Sequence, residues 1–411
     1  MTTGGRDRRV AVVGGGAAGC LAAIFAAQGG AETTLFESTA EGGKKILISG
    51  GGRCNILPAR LDETRFITDS SPHTLRNIVR SWPLAEQIAW FERELGLVLV
   101  EETESAKLFP ASNKARDVRD GLLDVARKRG VRIRTGARVT GLKPSEGGWR
   151  IELAQGEPHR VDAVILATEG LSVPATGSEG FGLRIARTLG HTIHETYAAL
   201  TPITAEPAPF AHLSGVSLTV TITAQDEVRK AVATGGFLFT HRGYSGPSVL
   251  DVSHVLVRSR PEAPARLVVN WTGRPESEWE AELRADGPRG VAGVMKARLP
   301  ERLALALLER AGVDPRAPLA QLKREQRLGL IRLLTRCELP WTGHEGYKKA
   351  EVTGGGVSLA EIDARTMESR LQPGLFLCGE LLDAFGPIGG YNFLWAWATG
   401  RAAGLGAARN S

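Results

Sequence analysis

Glycines spaced beside charged side chains carry the most evident chemistry in this chain. Gly14, Gly16 and Gly19 form a GxGxxG pattern, and Glu37 lies eighteen residues beyond Gly19. Glycines at this spacing allow a sharp turn and let a pyrophosphate reach the free amides of a helix N-terminus. An acid at the tip of the next strand accepts hydrogen bonds from ribose hydroxyls and repels a 2′-phosphate. The pattern predicts a dinucleotide site.

Two further glycine-rich segments have related properties. Residues 42–55 read GGKKILISGGGRCN and residues 378–392 read CGELLDAFGPIGGYN. The first suits a loop whose amides wrap a phosphate or the edge of a flat ring, although a flexible surface loop has the same composition. The second places Gly-Glu after a strand and a glycine loop before a helix, which gives another set of anion-binding amides. Two such sets suit a cofactor longer than NAD.

Candidate acid-base groups are fewer. Cys54 follows Arg53 and is interpreted as a proton donor, a low-pKa thiol or a small buried side chain. Tyr391 is a candidate for stacking on a ring or donating to substrate, and His241 for catalysis or for a structural role in its turn. His191 is interpreted as structural. The sequence shows no persuasive metal cluster and no Ser/His/Asp set.

The first motif needs a strand, a turn and a helix in succession, and the sequence provides them. Residues 10–13 (VAVV) predict a strand, small apolar residues up to Gly29 predict a helix, and residues 33–37 (TTLFE) predict a second strand. Together they predict a βαβ unit. Further strands are predicted at 131–135, 137–142, 149–153, 161–166, 216–223, 229–239, 350–353 and 375–378, and helices at 180–189, 298–311, 319–335 and 392–404.

Composition places limits on the class of protein. The 411 residues include 42% hydrophobic and 23% charged residues, as in an ordinary globular protein of two or three domains. The net charge of +6 permits anionic substrates or RNA without requiring them. Four scattered cysteines favour a reducing compartment. The arginines before the first strand lack the apolar core of a signal peptide, so we expect a cytoplasmic protein without a membrane segment.

Several longer motifs make the chain resemble a known family. In addition to the segments at 42–55 and 378–392, they are LFPAS at 108–112, ATEG at 167–170, FTHRGYSGP at 239–247, VTGGGV at 352–357 and TMES at 366–369. In this order they resemble the BaiN/RdsA (HI0933-like) family of FAD-dependent oxidoreductases. Two departures are visible. Lys44 stands where the family usually has Arg, and Glu169 replaces a glycine of ATGG, where an acid could oppose a phosphate.

The resemblance implies an α/β fold. It implies a Rossmann-type FAD-binding domain of the glutathione-reductase kind at 1–196 and 348–411, with an insert at 197–347. The insert would comprise a β-barrel, at about 197–272 and 336–347, and a helical bundle, at about 273–335. Only one GxGxxG is present, so no separate nicotinamide domain is expected.

The motifs and the resemblance together give a set of expected FAD contacts. The glycine turn would hold the pyrophosphate and Glu37 the adenosine ribose. The resemblance assigns Val139 to the adenine, Glu380 to the ribityl chain and residues 388–392 to the pyrimidine edge of the flavin. The expected contacts are Gly14, Gly15, Gly16, Ala17, Ala18, Gly19, Glu37, Lys45, Ser49, Gly51, Arg53, Cys54, Asn55, Val139, Ala167, Thr168, Gly170, Gly379, Glu380, Asp383, Gly386, Ile388, Gly389, Gly390, Tyr391 and Asn392.

The expected activity is transfer of hydride from NAD(P)H through flavin N5 to a conjugated C=C of an organic small molecule, by a ping-pong mechanism. Three alternatives stay open. They are an oxidase that uses O2 to oxidise an amine or alcohol, a reductase of uridine in ribosomal RNA, and a flavin-binding protein without catalysis.

Overall fold

The computed structural model describes residues 7–284 and 289–409. Residues 285–288 of the predicted helical bundle and the chain ends of the predicted FAD domain lie outside these ranges. The chain divides into two compact units, one formed by Met1–Thr196 with Val352–Ser411 and the other by Tyr197–Glu351. None of the helices within the described ranges has the length and apolar character that a membrane span requires.

The elements of the described residues are named in chain order. The strands are β1 (Arg9–Val13), β2 (Glu32–Phe36), β3 (Leu57–Pro58), β4 (Leu99–Glu102), β5 (Lys107–Pro110), β6 (Arg132–Arg134), β7 (Val139–Ser145), β8 (Gly148–Leu153), β9 (His159–Val161), β10 (Ala163–Leu166), β11 (Ile193–Ala199), β12 (Ile203–Thr204), β13 (Ser217–Gln225), β14 (Lys230–Thr240), β15 (Gly243–Ser245), β16 (Arg266–Asn270), β17 (Cys337–Glu338), β18 (Gly343–His344), β19 (Val352–Val357) and β20 (Leu375–Leu377). The helices are α1 (Ala17–Gln28), α2 (Lys44–Ile48), α3 (Pro72–Arg80), α4 (Leu84–Leu95), α5 (Ala115–Lys128), α6 (Phe181–Thr188), α7 (Pro247–Val257), α8 (Glu276–Leu283), α9 (Val291–Lys296), α10 (Glu301–Arg310), α11 (Arg324–Thr335) and α12 (Tyr391–Ala408).

A parallel sheet of order β20-β10-β1-β2-β6 forms the centre of the first unit. Strands β1, β10 and β20 are buried along almost their whole length, and each is a short apolar run without alternation. Because the strands are parallel, the three segments that follow β1, β10 and β20 emerge at one edge. These segments are the GxGxxG turn, the ATEG loop and the Gly-Glu loop. The predicted Rossmann-type α/β fold is confirmed.

The strand predicted at 161–166 is divided in the structure. Val161 pairs with Trp149 in the antiparallel β7-β8-β9 sheet, whereas Ala163 pairs with Val10 in the parallel sheet. Asp162 lies at the change of sheet. Its carboxylate accepts from the Arg9 amide at 2.7 Å and forms an ion pair with the Arg9 guanidinium at 3.0 Å. One apolar run therefore serves two sheets, which periodicity alone does not reveal.

Helices α1 and α12 pack closely because glycines remove side chains between them. A Cβ at Gly400 would lie 2.4 Å from the Ala18 carbonyl oxygen, and one at Gly404 would lie 2.4 Å from that of Ala22. Helix α1 is apolar on every face, as expected for a helix buried between a sheet and another helix. Trp395 and Trp397 of α12 are buried and belong to the core of this unit.

The second unit contains a seven-stranded antiparallel sheet of order β17-β16-β13-β14-β15-β12-β18 and helices α7 to α11. Helix α7 packs against β13 and β14. The helix predicted at 319–335 is wrong in its first turn. Leu319–Gln321 form a separate 3-10 turn, and Leu322 and Lys323 are extended, so α11 begins at Arg324.

Candidate functional site

The GxGxxG turn requires its glycines for steric reasons. Gly14 has a φ of +107°, and a Cβ there would lie 2.6 Å from the Ala167 carbonyl oxygen. A Cβ at Gly19 would lie 1.8 Å from the Gly14 carbonyl oxygen, which is far shorter than any non-bonded contact that a Cβ atom makes. The Gly14 amide donates to the Phe36 carbonyl at 2.9 Å, which joins the turn to β2. The turn is therefore tightly specified by its sequence.

Glu37 places its carboxylate directly at this turn. Its Oε2 accepts from the Gly15 amide at 2.8 Å, and its Oε1 accepts from the Thr39 amide at 2.7 Å. Thr39 Oγ1, at 2.7 Å, and Ser38 Oγ, at 3.4 Å, also donate to Oε1, so the acceptor position left for a ribose hydroxyl is on Oε2. The Ala137 amide donates to the Glu37 carbonyl at 2.8 Å, so the start of β7 at Val139 runs beside the same strand end.

The atoms that line the turn can be compared with what a dinucleotide such as FAD requires. A Cβ at Gly15 would meet first the Glu37 Oε2, at 2.9 Å, and a Cβ at Gly16 would meet first the Glu169 Oε1, at 3.3 Å. The first-turn amides of α1, beginning at Ala17, have no intrahelical acceptor. The cradle is therefore lined by glycine and by amides that suit a pyrophosphate. The donor set fits FAD, with Glu169 as a local conflict of charge.

Lys45 connects the second glycine segment to the third and to the loop that follows β10. Its Nζ donates to the carboxylate of Glu380 and, at 2.6 Å, to Ser172 Oγ, and it lies 3.8 Å from Glu169 Oε2. The side chains of Lys45, Glu169 and Glu380 are 18%, 23% and 14% exposed. These limited exposures make the charges interact more strongly than surface pairs do. One ammonium thus faces two carboxylates at the edge of the parallel sheet.

Glu380 is held by groups that the sequence reasoning missed. Its Oε1 accepts from Ser172 Oγ at 2.6 Å and from the Thr353 amide at 2.9 Å. Thr353 Oγ1 in turn accepts from the Leu171 amide at 2.7 Å. A Cβ at Gly170 would lie 2.4 Å from Thr353 Oγ1. Thr353 belongs to the VTGGGV motif, so that motif is the feature of the sequence that points to a role for this segment beside Glu380.

The second glycine segment has defined contacts rather than the character of a loose loop. Gly50, Gly51 and Gly52 all have positive φ, at 56°, 67° and 85°. Arg53 forms an ion pair with Glu102 at 3.0 Å, and its guanidinium carbon lies 4.1 Å from the ring centroid of Phe109. Ser49 Oγ donates to the Ile46 carbonyl at 2.7 Å. The Arg53 and Ser49 side chains are therefore already engaged within the protein.

Cys54 is fully buried. Burial raises its pKa to about 12, whereas a hydrogen bond with Ser49 has a smaller, opposing effect. The interpretation of Cys54 as a low-pKa thiol is therefore wrong, because Arg53 turns away and desolvation dominates. The interpretation as a small buried side chain agrees with its 0% exposure.

The third glycine segment is held by α12 and by two asparagines. The Gly379 amide donates to Thr399 Oγ1 at 3.0 Å. Asn392 closes the loop, since its Oδ1 accepts from the Gly386 amide at 2.8 Å and its Nδ2 donates to the Gly386 carbonyl at 2.9 Å. In the orientation that satisfies its neighbours, the Asn55 side-chain oxygen accepts from the Gly390 amide at 2.9 Å. These side chains shape the loop, and the half-buried residues 388–390 form its accessible surface.

Two predicted site residues use their polar atoms to anchor neighbouring loops. The Tyr391 hydroxyl oxygen accepts from the Asp62 amide at 3.2 Å, and the residue is 4% exposed. Asp383 is 2% exposed, and its Oδ2 accepts from the Ser70 amide at 2.7 Å and from the Asp69 amide at 2.9 Å. The structure therefore gives both residues positioning roles, and their direct contact with a ligand stays a prediction.

Thr168 and His241 are the remaining candidates. Thr168 follows the buried Ala167, and its hydroxyl packs against Gly182 of α6, where a Cβ would lie 2.0 Å away. His241, in the second unit, is exposed in the turn between β14 and β15. That turn is held by the Ala205 amide, which donates to the Arg242 carbonyl at 2.8 Å. Backbone atoms thus hold the turn, and the catalytic and structural roles considered for the His241 side chain stay predictions.

A buried Ser-His-Glu set was not expected from the sequence. His191 Nε2 lies 2.9 Å from Ser369 Oγ, and His191 Nδ1 lies 3.0 Å from Glu361 Oε2. Ser369 Oγ also accepts from the Leu371 and Gln372 amides, at 3.1 Å and 2.9 Å. His191 and Ser369 are 3% and 5% exposed. A hydroxyl so enclosed lacks access to substrate, so we interpret the set as structural, in agreement with the expectation for His191.

Comparison with known proteins agrees with this geometry. A family model described as the HI0933-like protein Rossmann domain matches residues 8–406. The chain is 33% identical over 375 residues to the 3-dehydro-bile acid delta(4,6)-reductase of Clostridium scindens. The aligned region covers 89% of this chain and 90% of the relative. It is 31% identical over 383 residues to the ribosomal RNA dihydrouridine synthase of Escherichia coli, with 89% of both chains covered.

A solved structure shares the fold at low sequence identity. It is the 3-ketosteroid delta1-dehydrogenase of Sterolibacterium denitrificans, with a TM-score of 0.55, 12% identity, and coverage of 98% of this chain and 100% of the other. The family model spans nearly the whole chain, and the two relatives match it over most of their lengths. The chain therefore belongs to the HI0933-like Rossmann family of FAD-dependent oxidoreductases.

Proposed function

We propose that the chain binds one FAD along the carboxyl edge of its parallel sheet and uses it to reduce a conjugated C=C of an organic small molecule. The observation that carries this proposal is that the second and third glycine segments meet at the Lys45–Glu380 pair, while Glu169 links that pair to the first glycine turn. A nucleotide as short as NAD would not need the segment at 378–392. The bile-acid reductase relative supports a small molecule as the substrate class.

The site residues divide along the proposed cofactor. Residues 14–19 hold the pyrophosphate, Glu37 accepts from the adenosine ribose, and the backbone at Val139 borders the adenine. Glu380 accepts from the ribityl hydroxyls, because its carboxylate is fixed by Ser172 and Thr353. The accessible surface at 388–390 borders the pyrimidine edge of the ring.

Bound in this way, FAD supplies a group that accepts and donates hydride at flavin N5. The chain's own contribution at that end is electrostatic. Helix α12 has eighteen residues and begins at Tyr391, so its first-turn amides and its dipole favour negative charge beside residues 388–390. Asn55 and Asn392 keep these amides in place through their contacts with the loop. The proposed effect is to favour hydride acceptance by the ring.

We propose NAD(P)H as the donor and the unit Tyr197–Glu351 as the part of the chain that selects the substrate. The sequence contains one GxGxxG, so the nicotinamide has no domain of its own and would leave before the substrate enters. This order predicts ping-pong kinetics. Initial-rate lines that intersect would argue against it.

Anaerobic titration of the purified flavoprotein with NADH and NADPH tests the proposal. Bleaching of the oxidised flavin absorbance, followed by recovery on addition of an enone, is expected. No bleaching by either donor would overturn the reductase function. Fast recovery in air with one peroxide per flavin, without any enone reduction, would favour the oxidase alternative.

A second candidate function is reduction of uridine in ribosomal RNA. The supporting observations are the synthase relative at 31% identity and the net charge of +6. Dihydrouridine content of ribosomal RNA from cells with and without the gene provides the test. A loss of the modified base, restored by the intact gene, would favour RNA over the small molecule. RNA binding should then weaken linearly with salt on logarithmic axes.

A further inference from the structure

Glu169 occupies a position in the glycine cradle where the charge of a ligand is expected. Its Oε1 lies 3.3 Å from the Cβ position of Gly16, at the N-terminal turn of α1. Thr176 Oγ1 donates to Glu169 Oε2 at 3.2 Å, and Ser178 Oγ donates to the same oxygen. The carboxylate is therefore held over amides that a pyrophosphate would use.

Two charged groups face Glu169 from other elements. Lys45 of α2 lies 3.8 Å from its Oε2, and Glu380, which follows β20, shares the same ammonium. Burial raises the pKa of Glu169 above its ordinary value of 4.5, and the charge of Glu380 adds to this effect. Lys45 and the hydroxyls of Ser178 and Thr176 act in the opposite direction. The Lys45 ammonium thus interacts with two carboxylates even without a bound phosphate.

We propose that Glu169 is an internal counter-anion that competes with the FAD pyrophosphate for the α1 turn and Lys45, and that it takes up a proton when FAD binds. The inference rests on the proposed FAD placement. A doubly charged pyrophosphate beside an ionised Glu169 would add repulsion within a partly buried site. Protonation removes that repulsion and leaves the side chain able to donate a hydrogen bond to phosphate.

The sign of the pH dependence follows from linkage. Bound FAD raises the pKa of Glu169 above its value in the FAD-free protein, because like charges disfavour ionisation. Below the FAD-free pKa the carboxyl is already protonated, and affinity is independent of pH. Between the two pKa values one proton is taken up per FAD, so affinity falls about tenfold for each unit of rising pH.

The test uses full-length protein stripped of FAD and titrated with FAD between about pH 6 and 9, where ordinary carboxylates and lysines keep their charges. Wild-type affinity should fall with rising pH. Glu169→Gln should lose most of this dependence and bind FAD at least about tenfold more tightly at the upper end. Calorimetry of the wild type in buffers with different ionisation heats should show uptake of about one proton, and this result does not depend on any variant.

Glu179→Gln provides a matched control on the same loop. Glu179 is half-exposed and pairs with Arg138 at 2.8 Å, so this variant should keep the wild-type dependence. An unchanged dependence in Glu169→Gln, or weaker FAD binding by it at every pH, would overturn the inference. Absence of FAD binding by both proteins at every pH would instead overturn the proposed FAD placement, and the inference with it.

Discussion

The ammonium of Lys45 donates to the carboxylate of Glu380, which lies 335 positions away in the sequence. This contact joins the second and third glycine segments, and Ser172 bonds to both side chains. The pair is partly buried, so removal of either charge leaves the other poorly compensated. Lys45, Ser172 and Glu380 thus bring three distant parts of the chain together at the site.

Replacing Lys45 by Met should weaken FAD binding by about 10- to 100-fold, as expected for loss of a charged hydrogen bond. The loss leaves Glu169 and Glu380 without their shared cation near the proposed pyrophosphate. Quenching of FAD fluorescence on titration would measure the affinity for FAD. Lys44→Met on the same helix is the matched control and should bind within about threefold of wild type, a difference below 1 kcal/mol. Equal affinities for the two variants would contradict the role of Lys45.

Gly19→Ala should destabilise the folded protein by about 3 kcal/mol or more, because the new Cβ would lie 1.8 Å from a backbone oxygen that has no room to move. Urea unfolding monitored by tryptophan fluorescence would measure the change. Gly329→Ala is the control. No atom lies within 4 Å of its Cβ position in helix α11, so it should be neutral or stabilising by about 0.5–1 kcal/mol. A Gly19→Ala protein as stable as wild type would contradict the packing described for the turn.

Glu361→Gln should lower the free energy of unfolding at neutral pH by about 1–3 kcal/mol. Although burial opposes ionisation of Glu361, hydrogen bonds from Thr192 and His191 lower its pKa below 4.5 overall. A lowered pKa in the folded state stabilises the protein above the unfolded-state pKa, and this contribution disappears as pH falls through the folded-state value. In urea unfolding from pH 7 down to about pH 3.5, the free energy of unfolding should therefore fall less in the variant than in the wild type. The exposed Glu92→Gln is the control, and the same loss in both variants would exclude a specific role for Glu361.

Native protein should react slowly with a thiol reagent at neutral pH, and four thiols should become reactive after unfolding. All four cysteines are free and buried, and burial raises the pKa of both Cys20 and Cys54 to about 12. Absorbance of the released thiolate with and without guanidinium would measure this. One fast-reacting thiol mapped to residue 54 in the native protein would restore Cys54 as a reactive group.

Local patterns in the sequence were sufficient for several elements. The βαβ unit was predictable because GxGxxG, the apolar run before it and the strand ending at Glu37 are contiguous, and each has a steric or hydrogen-bonding requirement. Helix α12 was predictable because a glycine loop precedes a run of mostly small and apolar residues. The division at Asp162 was not, because which sheet a residue joins depends on partners such as Arg9 and Val10.

The glycine turn, the acid that follows β2 and, through the longer motifs, the family of the chain all follow from residue types and spacing. The pairing of the charges in the site follows from the folded arrangement alone. Lys45, Glu169 and Glu380 come from three segments, and no local spacing relates them. The folded arrangement also buries the Cys54 thiol, which raises its pKa, and brings His191, Ser369 and Glu361 into one set. The physical reason is that steric requirements of a turn are local, whereas burial and electrostatic pairing depend on atoms that only folding brings together.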